Sequence, residues 1–228
     1  MCAIGSETWG LVAYLEGVNS PDVSQEATVL QPGSAGVSDN SDFKTVMTWR
    51  GIGEDRLEQV RVAVSGNRVK AYGRIVAAAT ADREAFSASY DLVTNDAGVT
   101  KRLSLHLVRA GGDAQISITR DNEDTWLVQT ARGMDRSDFG GAQDVDLALS
   151  PFFNALPIRR LGLGKPAATP VAVPVAYLYL PTGEVKPATL QYTPGDGGIG
   201  VVSPVADTTL TVDDNGFVIN YPGLAERV

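Results

Sequence analysis

The sequence predicts an all-β or mainly β fold, an antiparallel meander or barrel-like sheet, over most of its 228 residues. Two observations carry this reading. Apolar and polar residues alternate with period two in one run after another. Between the runs, at roughly 10–12-residue spacing, lie turn signals rich in Gly, Asn and Asp, the cadence of strands joined by hairpins. Composition agrees: 24 Gly and 12 Pro suit many turns better than long helices.

Residues 1–42 stand apart. They hold Glu7, Glu16, Asp22, Glu26, Asp39 and Asp42 and no Lys or Arg, so most of the formal charge of −8 belongs to them. The stretch 19–42 is rich in Ser, Gly, Asn, Asp and Pro, the composition of an arm that is partly disordered or loosely packed. A single β domain is therefore expected over 43–228, with halves near 43–124 and 125–228. With the arm removed the charge is nearly balanced. That predicts no basic field to attract nucleic acid or an anionic membrane surface. Cys2 is the only cysteine, so no internal disulfide can form. No apolar run reaches the ~18–20 residues of a membrane-spanning helix, and the N-terminus lacks a basic leader region. A soluble, cytoplasmic protein is expected; its oligomeric state is not encoded in these patterns.

The strands follow in order. In "AFSASYDL", Phe86, Ala88, Tyr90 and Leu92 share one face. In "RLSLHLVR", Leu103, Leu105 and Leu107 face in, and "AQISITR" repeats the pattern with Ile116 and Ile118. "SGN" at 65–67, "NDAG" at 95–98, "GGD" at 111–113, "DNED" at 121–124, "PTGE" at 181–184 and "DDNG" at 213–216 supply turns. "VAVPVAYLYL" at 171–180 is apolar on both faces, so it must be covered on both sides or line an apolar cavity; Pro174 predicts an edge or a bulge there. "NDAGVTKRL" at 95–103 and "DDNGFVINY" at 213–221 echo each other, through either a duplicated half-sheet or shared turn chemistry.

Several motifs carry no chemistry. "GDGGIG" at 195–200 has the spacing of a dinucleotide fingerprint but no helix can follow it, and "GLGK" at 162–165 has Pro166 where a phosphate loop needs Ser or Thr. His106 is the one histidine and sits on a polar strand face, which leaves neither a soft-metal site nor a Ser-His-Asp triad. No metal or cofactor is expected.

The stretch "DVDLALSPFFNALPIRRLGL" (144–163) gathers two carboxylates, two Phe and two Arg. Alternation puts Asp144 and Asp146 on one face. Ser150-Pro151 ends the strand, Phe152 to Ala155 form a connector, and Pro157 begins a second segment. If that segment is extended, Arg159 and Arg160 point to opposite sides. Three readings remain open: an Asp–Arg latch between strands with Asn154 fixing the connector, a head-group clamp, or a carboxylate pair for acid–base work on a glycoside.

On these residues the chain resembles the "Putative glycolipid-binding" family, bacterial proteins otherwise of unknown function. "DVDLALSPFFNALPIRRL" carries the resemblance first. "VAYLYLP", "LQYTP" at 190–194 and "LTVDDNGFVINYPG" at 210–223 follow, with "LEQVRV" and "ASYDLVTND" as weaker N-terminal counterparts. The resemblance implies a curved antiparallel half-barrel or roll built from two similar halves, similar to lipoprotein-carrier half-barrels. It departs from the family at Phe153 and Ala155, where threonines are usual, and no Cys precedes Asp144. The function so implied is binding of an amphipathic lipid or glycolipid without catalysis. An apolar concave face including Phe152, Phe153, Tyr177 and Tyr179 would hold the chain; Asp144, Asp146, Asn154, Arg159 and Arg160 would meet the head group, and Tyr192 is a further candidate ligand contact. The competing expectation is a structural or protein-interaction domain with no cavity.

Overall fold

Period-two alternation in the sequence becomes strand after strand in the fold. The computed structural model describes residues 42–165 and 169–228, so the acidic arm at 1–41 lies outside the described residues. The strands β1 (Phe43–Gly51), β2 (Arg56–Ser65), β3 (Arg68–Ala77), β4 (Phe86–Thr94) and β5 (Thr100–Arg109) are followed by β6 (Ala114–Arg120), β7 (Trp126–Thr130) and β8 (Gly133–Ser137). Each pairs antiparallel with the one before it. The chain then crosses to the far end of the sheet. There β9 (Asp144–Leu147), β10 (Val171–Leu178), β11 (Val185–Gly195) and β12 (Gly198–Val202) begin the return. It ends with β13 (Asp207–Val212), β14 (Val218–Tyr221) and β15 (Ala225–Arg227).

β15 pairs antiparallel with β1 and joins the two runs into one fifteen-stranded sheet. β8 and β9 are its two ends, and they do not pair, so the sheet stays open. The strands expected from alternation at 86–92, 102–109 and 114–120 are β4, β5 and β6. "GDGGIG" is the tight turn between β11 and β12, with Gly195 opposite Gly198.

One pairing is parallel. β9 runs alongside β10, with Asp144 opposite Val175 and Asp146 opposite Tyr177. Parallel neighbours need a crossover of a dozen or more residues, usually helical. Residues 148–170 supply it through a short 3-10 turn at Phe152–Asn154 and the helix α1 (Ala155–Leu161). This corrects the extended segment expected after Pro157. Proline is tolerated in a first helical turn, where its missing N–H has no intrahelical role. Gly162, in the left-handed region at φ +66°, closes the helix. β9 meets β10 only from Val175 onward, so Pro174 lies where β10 has no neighbour on that side, as a strand proline requires.

The sheet curls until its inner faces meet. Thr100 N donates to Gln143 O at 3.0 Å, and Arg109 Nη1 to Pro181 O at 3.1 Å, each linking the two runs. The interior is filled by Trp49, Trp126, Phe152, Phe217, Tyr177 and Tyr192, all essentially buried.

The echoing turns share one hydrogen-bond pattern. Asn95 Oδ1 accepts from the N–H groups of Ala97 and Val99, and Asp213 Oδ1 from those of Asn215 and Phe217. Asp121 repeats it with Glu123 and Thr125, so this turn chemistry recurs outside the echo. The two echoing turns differ from the third in touching α1. A Cβ on Gly98 would lie 3.4 Å from Arg160 Cβ, and one on Gly216 would lie 2.9 Å from Arg159 Cγ.

Candidate functional site

β9 is buried at all four positions, Asp144 and Asp146 included. A buried carboxylate needs a partner or a proton. Asp144 has a partner: Arg160 Nη2 reaches its Oδ2 at 2.5 Å, and Arg160 Nε its Oδ1 at 3.4 Å. Burial pushes the Asp144 carboxyl upward, and the Arg160 guanidinium opposes it. Arg160 Nη1 also donates to Gln143 Oε1 at 2.7 Å. The helix thus clamps the strand that precedes it.

Arg159 turns elsewhere, because neighbouring helical residues point about 100° apart. It donates to the carbonyls of Asn215 and Gly66, and its guanidinium lies 5.4 Å from the centre of the Phe217 ring. One arginine faces the carboxylate row and the other holds two turns.

Asp146 lacks such a partner. It accepts the Leu147 N–H at 2.7 Å, and among the described residues no cation lies within ion-pair distance of it. Burial raises its pKa to about 8; the Leu147 N–H opposes this, and the nearby Asp144 and Glu58 carboxyls add to it. Its field also raises the pKa values of Tyr177, Tyr192 and Tyr221 beyond what burial does. Tyr192 OH donates to Asn154 Oδ1 at 3.0 Å, so Asn154 ties the connector to β11 through a side chain, not through backbone groups. Tyr177 stacks at a tilt on the half-exposed Tyr179, 4.8 Å between centroids.

Phe152 and Phe153 are buried rather than lining an open face. Phe152 lies within 6.5 Å of Trp49, Tyr90, Phe153 and Phe217, centroid to centroid. The connector therefore plugs the concave side. Beneath it lies a charged cluster that sequence reading missed. Glu58 Oε1 accepts from Tyr90 OH at 2.7 Å and from Ser150 Oγ at 2.5 Å. Burial raises the Glu58 pKa to about 7, against the pull of Ser150, Tyr90 and Arg56. Its Oε2 lacks a hydrogen bond of good geometry, and the Phe152 N–H opposes the shift only weakly.

Arg56 donates to Leu149 O and, at 2.6 Å, to Leu224 O, while its Nε pairs with Glu54. It thereby holds Leu149, whose φ of +70° turns the chain out of β9. A signal for both was present: in "RLEQVRVAV", Arg56 and Glu58 stand in phase with Val60, Val62 and Val64, on the buried face.

These carboxyls make stability depend on pH. The folded chain keeps protons on Glu58 up to about pH 7 and on Asp146 up to about pH 8. The unfolded chain releases them near pH 4. Their contribution is complete below pH 4 and is lost as pH rises through 7 and 8, by about 1.4 kcal/mol per pH unit for each group. The melting temperature should therefore fall between pH 5 and pH 8. A Glu58→Gln, Asp146→Asn variant should flatten that slope, and an unchanged slope would refute the assignment.

Neither Asp144 nor Asp146 lines any of the larger clefts. A groove of about 530 Å3 opens instead where β6–β8 approach the hairpin between β10 and β11. Ile116, Val128 and Phe139 form its apolar floor, and Arg109, Arg132, Glu184 and Lys186 its rim. Lys186 Nζ lies 5.7 Å from the centre of the Tyr179 ring, which places Tyr179 beside this rim.

The family model described as "Putative glycolipid-binding" matches residues 46–227. A solved structure of a DUF1089 family protein from Pseudomonas aeruginosa is similar, with a TM-score of 0.61 at 23% identity. The likeness covers 79% of this chain and 95% of that chain, and at this identity it speaks for the fold alone. No curated protein matches the chain. The family match spans both runs of the sheet and the connector between them, and on that ground the chain belongs to the Putative glycolipid-binding family.

Proposed function

We propose that the chain binds an amphipathic lipid of the glycolipid kind, without chemical change, in the groove between β6–β8 and the β10–β11 hairpin. The observation that supports this is the lining: an apolar floor beneath a rim that carries both charge signs. Its volume falls within the ~300–1,000 Å3 usual for small-molecule sites. The acyl part would rest on Ile116, Val128 and Phe139. The head group would meet Arg132, Glu184 and Lys186, with Tyr179 at the edge. Asp144, Asp146, Phe152, Asn154, Arg160, Tyr177 and Tyr192 then act as the frame behind the groove, and Arg159 as a brace on two turns.

Native mass spectrometry of the protein purified from its host should reveal a bound lipid. Thr130→Trp, at a groove-lining position, should empty the site while leaving the melting temperature within a few degrees. A lipid-free wild-type protein that takes up nothing from a glycolipid panel would sink the proposal.

A second reading, a structural or interaction domain, is favoured by the filled interior around Phe152. It predicts that Thr130→Trp changes no binding property at all.

A further inference from the structure

The charge balance of the sequence conceals a segregation that the fold creates. Outward positions on β1–β5 carry Lys44, Arg50, Arg61, Lys70, Arg74 and Arg102, all exposed. Asp91 is the one carboxylate at an outward position of these strands, and it is half-buried beside Arg102. Glu58, the other acid in this region of β2, faces inward. Among the described residues, Lys44, Arg50, Arg61, Lys70 and Arg74 have no carboxylate within ion-pair distance.

Register packs these cations around exposed apolar side chains. Val46, Arg61 and Tyr72 form one row across β1, β2 and β3, and Arg50, Leu57 and Val76 another. Val46 is 56% exposed, Leu57 50%, Tyr72 57% and Val76 53%. At one end, Lys44 and Lys70 border a cleft of about 720 Å3.

We infer that this outward face docks on an anionic lipid surface. Each Lys or Arg held near such a surface is attracted to it within a Debye length. The aliphatic groups and Tyr72 between the cations suit the interface, where long basic side chains keep their heads at the polar level. Single-stranded nucleic acid would also answer to the charge, but it uses runs of stacked rings, and at the outward positions of β1–β5 only Tyr72 and His106 carry a ring. The inference goes beyond the groove reading and does not depend on it, since it concerns a different face.

Co-sedimentation of the full chain with phosphatidylcholine vesicles, with and without phosphatidylglycerol, tests it. Binding should require phosphatidylglycerol and weaken with added salt. The variant Arg61→Glu, Lys70→Glu, Arg74→Glu should lose at least on the order of a hundredfold in partitioning. Lys44→Glu with Arg50→Glu, confined to β1, should lose at least tenfold and serves if the triple variant does not fold. Val46→Ser with Tyr72→Ser should weaken binding several-fold at unchanged charge. No sedimentation with phosphatidylglycerol, equal sedimentation with phosphatidylcholine alone, or charge reversals without effect would each overturn the inference. So would tight binding of single-stranded DNA in place of vesicles.

Discussion

Arg160→Ala should destabilise the protein by about 3–5 kcal/mol, because it leaves Asp144 buried without its ion-pair partner, with only the weaker pull of the more distant Arg120 remaining. In a chain of this size that is a fall in melting temperature on the order of 10 °C. Arg159→Ala should cost far less, about 1 kcal/mol, since it removes bonds to loop carbonyls and a contact with Phe217 at a half-exposed site. The two variants differ by one position and remove the same charge, so net charge cannot explain a difference between them. Adding Asp144→Asn to Arg160→Ala should recover part of the loss, because a neutral amide is less costly to bury than an unpaired carboxylate. Denaturant titrations of the three proteins decide it. Equal losses for the two arginine variants would mean that the clamp on β9 is not what Arg160 provides.

Gly73→Val should be comparably damaging, for a steric reason. Gly73 lies inward on β3, directly opposite Tyr90 of β4. A Cβ there would sit 2.0 Å from Tyr90 Cζ. The absent side chain is what lets the Tyr90 ring pass over β3 and reach Glu58 on β2. The ring cannot retreat, since Phe152 and Phe153 pack on it at 6.3 and 5.1 Å between centroids. Overpacking of this kind costs about 1–3 kcal/mol and sometimes more; with no room to yield, Gly73→Val should reach or pass the upper end. Even Gly73→Ala should be clearly destabilising. In a Tyr90→Ala background, Gly73→Ala should become close to neutral. A double-mutant cycle with no coupling would remove the steric account.

Strand patterning was legible because each side chain on a half-buried strand reports its face. Phe86, Ala88, Tyr90 and Leu92 needed nothing more than period two, and Gly66 and Gly216 needed only turns that call for positive φ. α1 was not legible. At seven residues it is too short to display a helical period, and its apparent N-cap, Asn154, spends its side chain on Tyr192. The parallel pairing of β9 with β10 is a long-range choice that no local pattern expresses. Arg56 and Glu58 were legible in principle, since charges in the phase of a valine row are in the wrong place unless paired. The seven-stranded return run was visible only in part, and the groove not at all, because its floor and rim come from segments far apart in sequence. Net charge misled about the outward face of β1–β5. Summing charges ignores which face each one occupies.

The position of β15 has a consequence for how the chain comes together. Within each run the pairings are local, strand to next strand, and such contacts form early. The joint between the runs is different: Trp49 Nε1 donates to Val218 O across 169 residues, and β15, three residues long, pairs with β1 beside it. During synthesis the N-terminal meander emerges first, with the β1 edge lacking its β15 partner until the return run has followed it. An unpaired edge is a template for unwanted association. Among the described residues the first strand made is therefore an aggregation hazard in the newborn chain, and a three-residue strand ends it.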